Sequence, residues 1–190
     1  MERNAKDKIL DAALDVVADK TISGTRMHLI AEYADMVQSN VHYYFKTKED
    51  LLGALQDKVQ EDYIEFRRDA VKAKKDTLQE QLHVFFQQKM EMITTRPQYD
   101  YIELDFWVQS RCDEKIKDKL CKIFIKWRGD VRKMLKKYIP EEDEAKISLV
   151  STIVISMLEG ATIQYLLDEG CFDLNEYFEQ CEKMIVQYLE

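Results

Sequence analysis

Residues 24–52, GTRMHLIAEYADMVQSNVHYYFKTKEDLL, decide the fold of this chain. They divide into two short helices, a tight turn and the start of a further helix. Thr25 is placed to cap a helix whose apolar positions Met27, Ile30 and Ala31 fall at helical spacing. Leu29 and Tyr33 complete its buried side, and Arg26, His28 and Glu32 point outward. Asp35 follows as a turn residue able to take the left-handed backbone conformation usually left to glycine. From Val37 to Phe45 the side chains both donate and accept hydrogen bonds while carrying little charge, which suits a surface that meets base edges and phosphates. The same residues also fit a polar helix face packed on an aromatic core by Tyr43 or Phe45.

Working outward, the chain continues to specify helices. Upstream, Ile9, Leu10, Ala13, Leu14 and Val17 form one side of a helix over residues 5–18. Lys20 to Ser23 link it onward, and Gly24 permits a positive backbone angle. Downstream, Thr47 and Asp50 make a T-x-x-D helix start flanked by Lys46 and Lys48. Free N–H groups, a positive helix end and two ammonium groups make a natural phosphate clamp there. That helix runs through Leu51, Leu55, Val59, Tyr63 and Phe66 to about Lys74. Its basic tail, Arg67, Arg68, Lys72, Lys74 and Lys75, reads as a solvated face.

Beyond it, residues 77–94 carry Leu82, Phe85, Phe86, Met90 and Ile93 at helical spacing, closed by Pro97. The segment 99–112 is apolar almost all round, as a buried or cavity-lining helix is. Over 114–139 one side is apolar and the other rich in lysine, a solvated face rather than a second nucleic-acid or membrane site. Pro140 and Glu141 to Glu144 open a helix that Gly170 stops, the acidic residues suiting its N-terminus. A last helix covers 174–189. These two terminal helices carry more apolar surface than one partner face needs, and pairing with a second copy buries it most simply.

Composition sets the bounds. The 190 residues are 46% hydrophobic and 34% charged, with only five Gly and two Pro, as in a globular chain of long helices. A net charge of −8 argues against a nonspecific nucleic-acid coat, but not against a small basic contact face. Cys112, Cys121, Cys171 and Cys181 form no C-x-x-C pair and read as free thiols, with no metal site expected from them and His83. No cleavable apolar leader and no bilayer-spanning apolar run is apparent, so the expected location is the cytoplasm. No G-x-S-x-G, Walker, dinucleotide-glycine or H-E-x-x-H pattern occurs, and Glu103 and Asp105 stand two apart, off a common helical face. No catalytic residue, cofactor or metal is therefore assigned.

The order Ile30-Ala31, Ala34 and then VHYYFKTKEDLL, with Ile9-Leu10, Ala12-Ala13 and Val16 ahead of it, resembles the N-terminal signature of the TetR (tetracycline-repressor) family of bacterial transcription regulators. The usual wording there is IA-x-x-A-G-V-S-K-G-T-L-Y-Y-Y-F-K-S-K-E-D-L-L. Here Asp35 replaces the turn glycine, Val37 stands in place of a capping serine, and Gln38-Ser39 in place of Lys-Gly. In the second half, Phe106-Trp107, Asp113-Glu114, Trp127-Arg128 and Met157-Leu158-Glu159-Gly160 loosely resemble the effector domain of the family's choline- and pyrimidine-responsive branches.

The resemblance implies an all-α chain of about nine helices. Residues 1–47 would be a helix-turn-helix DNA-binding domain and residues 48–190 a ligand-binding and dimerisation domain. It implies a repressor that binds a palindromic double-stranded operator as a homodimer paired through the last two helices, with no membrane partner. Gln38 and Asn40 are then expected on base edges, since each amide can bond adenine twice. Ser39, His42, Tyr43 and Tyr44 are expected on phosphates or thymine methyls, and Thr25, Arg26 and Lys48 on phosphates. Arg3, Lys6 and Lys8 are further phosphate candidates. A small apolar or aromatic effector would be held by Phe86, Met90, Tyr101, Phe106, Trp107, Ser110, Phe124, Trp127 and Thr162. The alternative is a helical protein-binding adaptor with weakened DNA recognition, which the Gln38-Ser39 departure keeps open.

Overall fold

The computed structural model describes residues 4–73, 76–139, 143–170 and 172–189, with residues 69–73 as backbone only. The readings made on Arg3, Lys72, Lys74, Lys75, Pro140 to Glu142 and Cys171 lie outside the described residues or side chains. Among those described there are nine helices and no strand: α1 (Ala5–Gly24), α2 (Met27–Tyr33), α3 (Gln38–Tyr44), α4 (Lys48–Ala73), α5 (Leu78–Thr95), α6 (Pro97–Gln109), α7 (Glu114–Leu135), α8 (Glu144–Leu167) and α9 (Leu174–Leu189). They form two compact units, one of Met1–Tyr63 with Gln98–Leu120, the other of Ile64–Pro97 with Cys121–Glu190.

In the first unit α1 packs on α2 and α2 on α3. Ile9, Ala13, Val16, Ile30, Val41, Leu51 and Leu55 are wholly shielded from solvent. Each large aliphatic among them contributes roughly 1.5–3 kcal/mol of transfer free energy, which fixes the short helices that propensity alone would not hold. Asn4 caps α1 by accepting the Asp7 N–H at 3.1 Å. The helix continues past Ala18 to Gly24 across a break at Thr21 (φ 63, ψ 167). The positive backbone angle thus falls on Thr21 rather than Gly24, in a region costly for a β-branched residue. Contacts around the break hold it. The Ile22 N–H donates to the Asp105 carboxylate of α6, and the Thr25 hydroxyl donates to the Thr21 carbonyl at 2.7 Å.

Thr25 consequently does not cap α2. Its side chain is fully buried, and the cap position is Arg26, which makes no side-chain cap bond. Tyr33 also departs from expectation: it is 48% exposed, its hydroxyl donating to the Asp19 carboxylate at 3.2 Å. On α6, Ile102 and Phe106 are buried, while Tyr101 and Val108 face solvent, so this helix is not enclosed all round.

In the second unit α5, α8 and α9 pack together, with Phe86 against Phe178 at 5.4 Å between ring centres. Leu82, Ile93, Ile147, Val150 and Val154 fill the remainder. A Lys89–Glu159 pair at 3.2 Å is buried there, each charge compensating the other's desolvation. On α7, Trp127, Val131 and Leu135 are buried while Lys122, Lys126 and Lys133 are solvated, the arrangement its sequence specifies. Among the described residues, α8 is by length and composition apolar enough to cross a membrane, and half of its most apolar stretch is buried.

Candidate nucleic-acid interface

The turn between α2 and α3 is closed by the backbone alone. Asp35 takes φ 51, its N–H donates to the Glu32 carbonyl at 3.0 Å, and the Met36 N–H donates to the Ala31 carbonyl at 2.9 Å. This is a Schellman closure with aspartate in the place glycine usually fills. It ends α2 abruptly and turns the chain into the extended Val37 (φ −79, ψ 146) that begins α3.

Within α3 only Val41 is buried, and it anchors the helix on the core. Phe45, just past the helix end, is buried beside it, with the Lys6 ammonium 5.9 Å from its ring centre. Everything else on α3 is presented: Gln38, Ser39, Asn40, Tyr43 and Tyr44 are exposed and His42 is half-buried. The side-chain nitrogens of Gln38 and His42, one turn apart, lie 3.2 Å from each other. Tyr43 and Tyr44 meet edge to face at 5.1 Å, and Tyr43 is 74% exposed. A phenol left this open gains nothing for folding, and it rules out Tyr43 as the residue that packs α3 down; Phe45 does that. The face so formed is uncharged and rich in amide and hydroxyl groups.

Cations surround it. The Arg26 guanidinium is exposed and donates to the Ser23 and Thr25 carbonyls at 2.7 and 2.9 Å. Thr47 and Asp50 form a reciprocal capping box at the start of α4: Asp50 accepts the Thr47 N–H at 3.1 Å, and the Thr47 hydroxyl accepts the Asp50 N–H at 3.0 Å. Lys46 is exposed beside it. Lys48 is placed differently from expectation. Half-buried, it donates to the Ile22 carbonyl, and desolvation, followed by repulsion from Arg26, holds its pKa below the usual lysine value.

Of the residues expected to face DNA, α3 brings Gln38, Ser39, Asn40, His42, Tyr43 and Tyr44 together, Arg26 lies on the same unit, and Thr25 is withdrawn into the core. Two supporting residues had no sequence signal. Asp105 holds Ile22 from α6, and Lys119 donates to the Gly53 carbonyl and pairs with Asp57 at 2.8 Å. Such partners, dozens of positions apart, leave no periodic mark.

The residues expected to hold an effector are divided between the units. Tyr101, Phe106, Trp107 and Ser110 belong to the first; Phe86, Met90, Phe124, Trp127 and Thr162 to the second. Phe86 is fully buried, Thr162 donates to the Leu158 carbonyl at 3.0 Å, and Phe124 and Trp127 meet edge to face at 5.2 Å. Tyr101 is 45% exposed, and the Ser110 hydroxyl donates to the Trp107 carbonyl at 2.7 Å.

Residues 9–55 match the family of bacterial regulatory proteins, tetR family. A relative in Xanthobacter autotrophicus, an uncharacterized HTH-type transcriptional regulator in the dhlA 5′ region, is 44% identical over 59 residues, 30% of this chain. The match spans 29% of that relative's length. Over nearly the whole chain the fold is that of solved regulators. One, from Saccharomonospora viridis in complex with choline, is 17% identical with a TM-score of 0.81, covering 97% of this chain and 96% of that one. The regulator FadR of Bacillus subtilis in complex with stearoyl-CoA is 18% identical with a TM-score of 0.81, covering 97% and 99%. A transcriptional regulator of Rhodococcus sp. Rha1 is 13% identical with a TM-score of 0.81, covering 98% and 96%.

Proposed function

We infer, from the premise that the chain belongs to the tetR family of bacterial regulatory proteins, that it is a transcriptional repressor that binds a palindromic operator as a homodimer in the cytoplasm and is released by a small effector. The observation that carries this reading is the exposed, uncharged face of α3, held by a Schellman turn on one side and a capping box on the other. A seven-residue helix that buries only Val41 is kept for what it presents, and amides at Gln38 and Asn40 suit the adenine edge in a major groove. Arg26 and Lys46 supply the phosphate contacts, so affinity rests on local cations in spite of the net charge of −8.

Pairing of two copies is supported by the exposed Leu149 and Leu167 of α8 and Met184 and Tyr188 of α9, apolar groups that a stable interface of about 800 Å² per partner would cover. An effector is supported by two regulators of the same fold that carry choline and stearoyl-CoA. A ligand acts only if it binds the DNA-free arrangement more tightly than the DNA-bound one.

The test is a gel shift on duplex DNA from upstream of the chain's own gene. The chain should retard it, and Gln38→Ala and Asn40→Ala should each cost about 1–3 kcal/mol of discrimination against altered bases. Failure to retard any duplex at low ionic strength would overturn the reading.

A further inference from the structure

The first unit carries an open cleft of about 700 Å³ beside the break at the end of α1, within the size range of small-molecule sites. Of the residues expected to hold an effector, only Phe106 borders it. We propose that this cleft is a second, separate binding site, for a small carboxylate carrying an apolar body.

Three walls argue for that chemistry. Leu52, Phe106 and Ile116 supply apolar surface. Lys48, Leu52 and Gln56 are successive residues of one α4 face, spanning about 12 Å along the helix. Gln56 is 4% exposed, and its Nε2 has no hydrogen-bond partner. A buried amide donor in that state is costly, and an acceptor placed against it recovers the loss.

Three of the charged groups at the rim are already committed. Asp113 accepts the N–H groups of Lys115 and Ile116 at 2.8 and 3.2 Å, and Glu114 pairs with Lys117 at 3.1 Å. Lys119 is taken by Asp57 and the Gly53 carbonyl. Lys48 spends one of its three N–H bonds on Ile22 and is partly desolvated, so an anion is its best complement. Glu49 and Lys115 also line it but are exposed to solvent, so the groups held away from water are the donors of Lys48 and Gln56, and what satisfies them is a carboxylate whose remainder lies on Leu52 and Phe106.

The site stands on the cleft itself and does not require duplex binding, although it shares Lys48 with the expected phosphate contacts. Cys112 borders it and has an exposed free thiol, while Cys121, also exposed and free, does not border it and serves as an internal control. The experiment labels the full chain with N-ethylmaleimide and follows both thiols by peptide mass spectrometry, with 4-phenylbutyrate, 4-phenylbutan-1-ol or 4-phenylbutylamine as probe. The carboxylate should slow labelling of Cys112 saturably and leave Cys121 unchanged, and the amine should protect neither. Gln56→Leu should raise the half-protecting concentration about tenfold, the loss expected of one hydrogen bond to a charged group. Equal protection by acid and amine, or an unaffected Cys112 at the solubility limit of the acid, would overturn the proposal, as would an unshifted half-point in Gln56→Leu. Should that variant fail to fold, the three-probe comparison on the unmodified chain decides alone. A gel shift on the same preparation keeps the two readings apart: loss of the shift without ligand strikes the repressor role, and an unprotected Cys112 beside an intact shift strikes only the site.

Discussion

Val37→Ser tests whether α3 is held by its turn alone. Val37 has the extended backbone of a cap residue, makes no side-chain cap bond and is 63% exposed. A serine hydroxyl there would accept the N–H of Ser39 or Asn40, a contribution of about 1 kcal/mol. Against this stands the partial burial of the valine methyls, which serine gives up. Full burial of a valine is worth roughly 1.5 kcal/mol, and with about a third of the side chain covered the cost is about 0.5 kcal/mol. The net gain is about 0.5 kcal/mol, or about 1–2 °C in Tm for a chain of this size. Val37→Ala gives up the same burial without adding an acceptor, so the difference between Ser and Ala isolates the cap at about 1 kcal/mol. Urea unfolding followed by far-UV circular dichroism measures the difference, and amide exchange at Ser39 and Asn40 localises it. Serine and alanine variants of equal stability, with exchange at those amides unslowed, would refute the account of the α3 start.

Other outcomes follow from particular groups. Lys48→Ala should reduce the slope of log affinity against log salt by about one unit if its remaining N–H groups reach a phosphate; an unchanged slope would confine the ammonium to the Ile22 carbonyl. Glu182 is buried with His83 Nδ1 at 3.0 Å, and burial raises its pKa above the ordinary 4.5 while His83 opposes the rise. A raised carboxyl stabilises the fold fully below its ordinary value and loses that contribution as pH climbs through the raised one. Wild type should therefore lose stability relative to Glu182→Gln as pH rises from 4.5, and a difference that grew the other way would contradict the burial argument. Tyr138 and Tyr177 are pushed up to about 12 by burial, aided by hydrogen bonds with Asp76 and Cys181 respectively, so their contributions should persist at pH 10 and fade toward pH 12. Absorbance titration should show late phenols, and Tyr138→Phe should remove one of them while Tyr177 still titrates late.

What was legible in the sequence is what neighbouring residues decide. The capping box of Thr47 and Asp50 needs partners three apart, and both bonds form. Asp35 was marked by residue type as fit for positive φ, and it has it. The apolar spacing of α9 gave bounds that coincide with the helix observed. Each is a contest settled within one or two helical turns, where propensity and periodicity hold the information.

Where residues act at long range, local rules pointed to the wrong atom. Gly24 is the obvious place for a positive angle, yet the strain sits on Thr21, because the Asp105 carboxylate holds the next N–H from 83 positions away. That single anchoring bond explains the other departures around it. Once α1 breaks at Thr21, the Thr25 hydroxyl is drawn back to the Thr21 carbonyl and no longer serves as a cap, and Lys48 finds the Ile22 carbonyl turned toward it. The same break leaves the cleft bordered by Ile22, Lys48 and Phe106, which no periodicity in the chain announces. A unit built in this way keeps α3 on local signals while its junction depends on α6, and a change at the junction can therefore alter how α3 is held without touching any residue of α3.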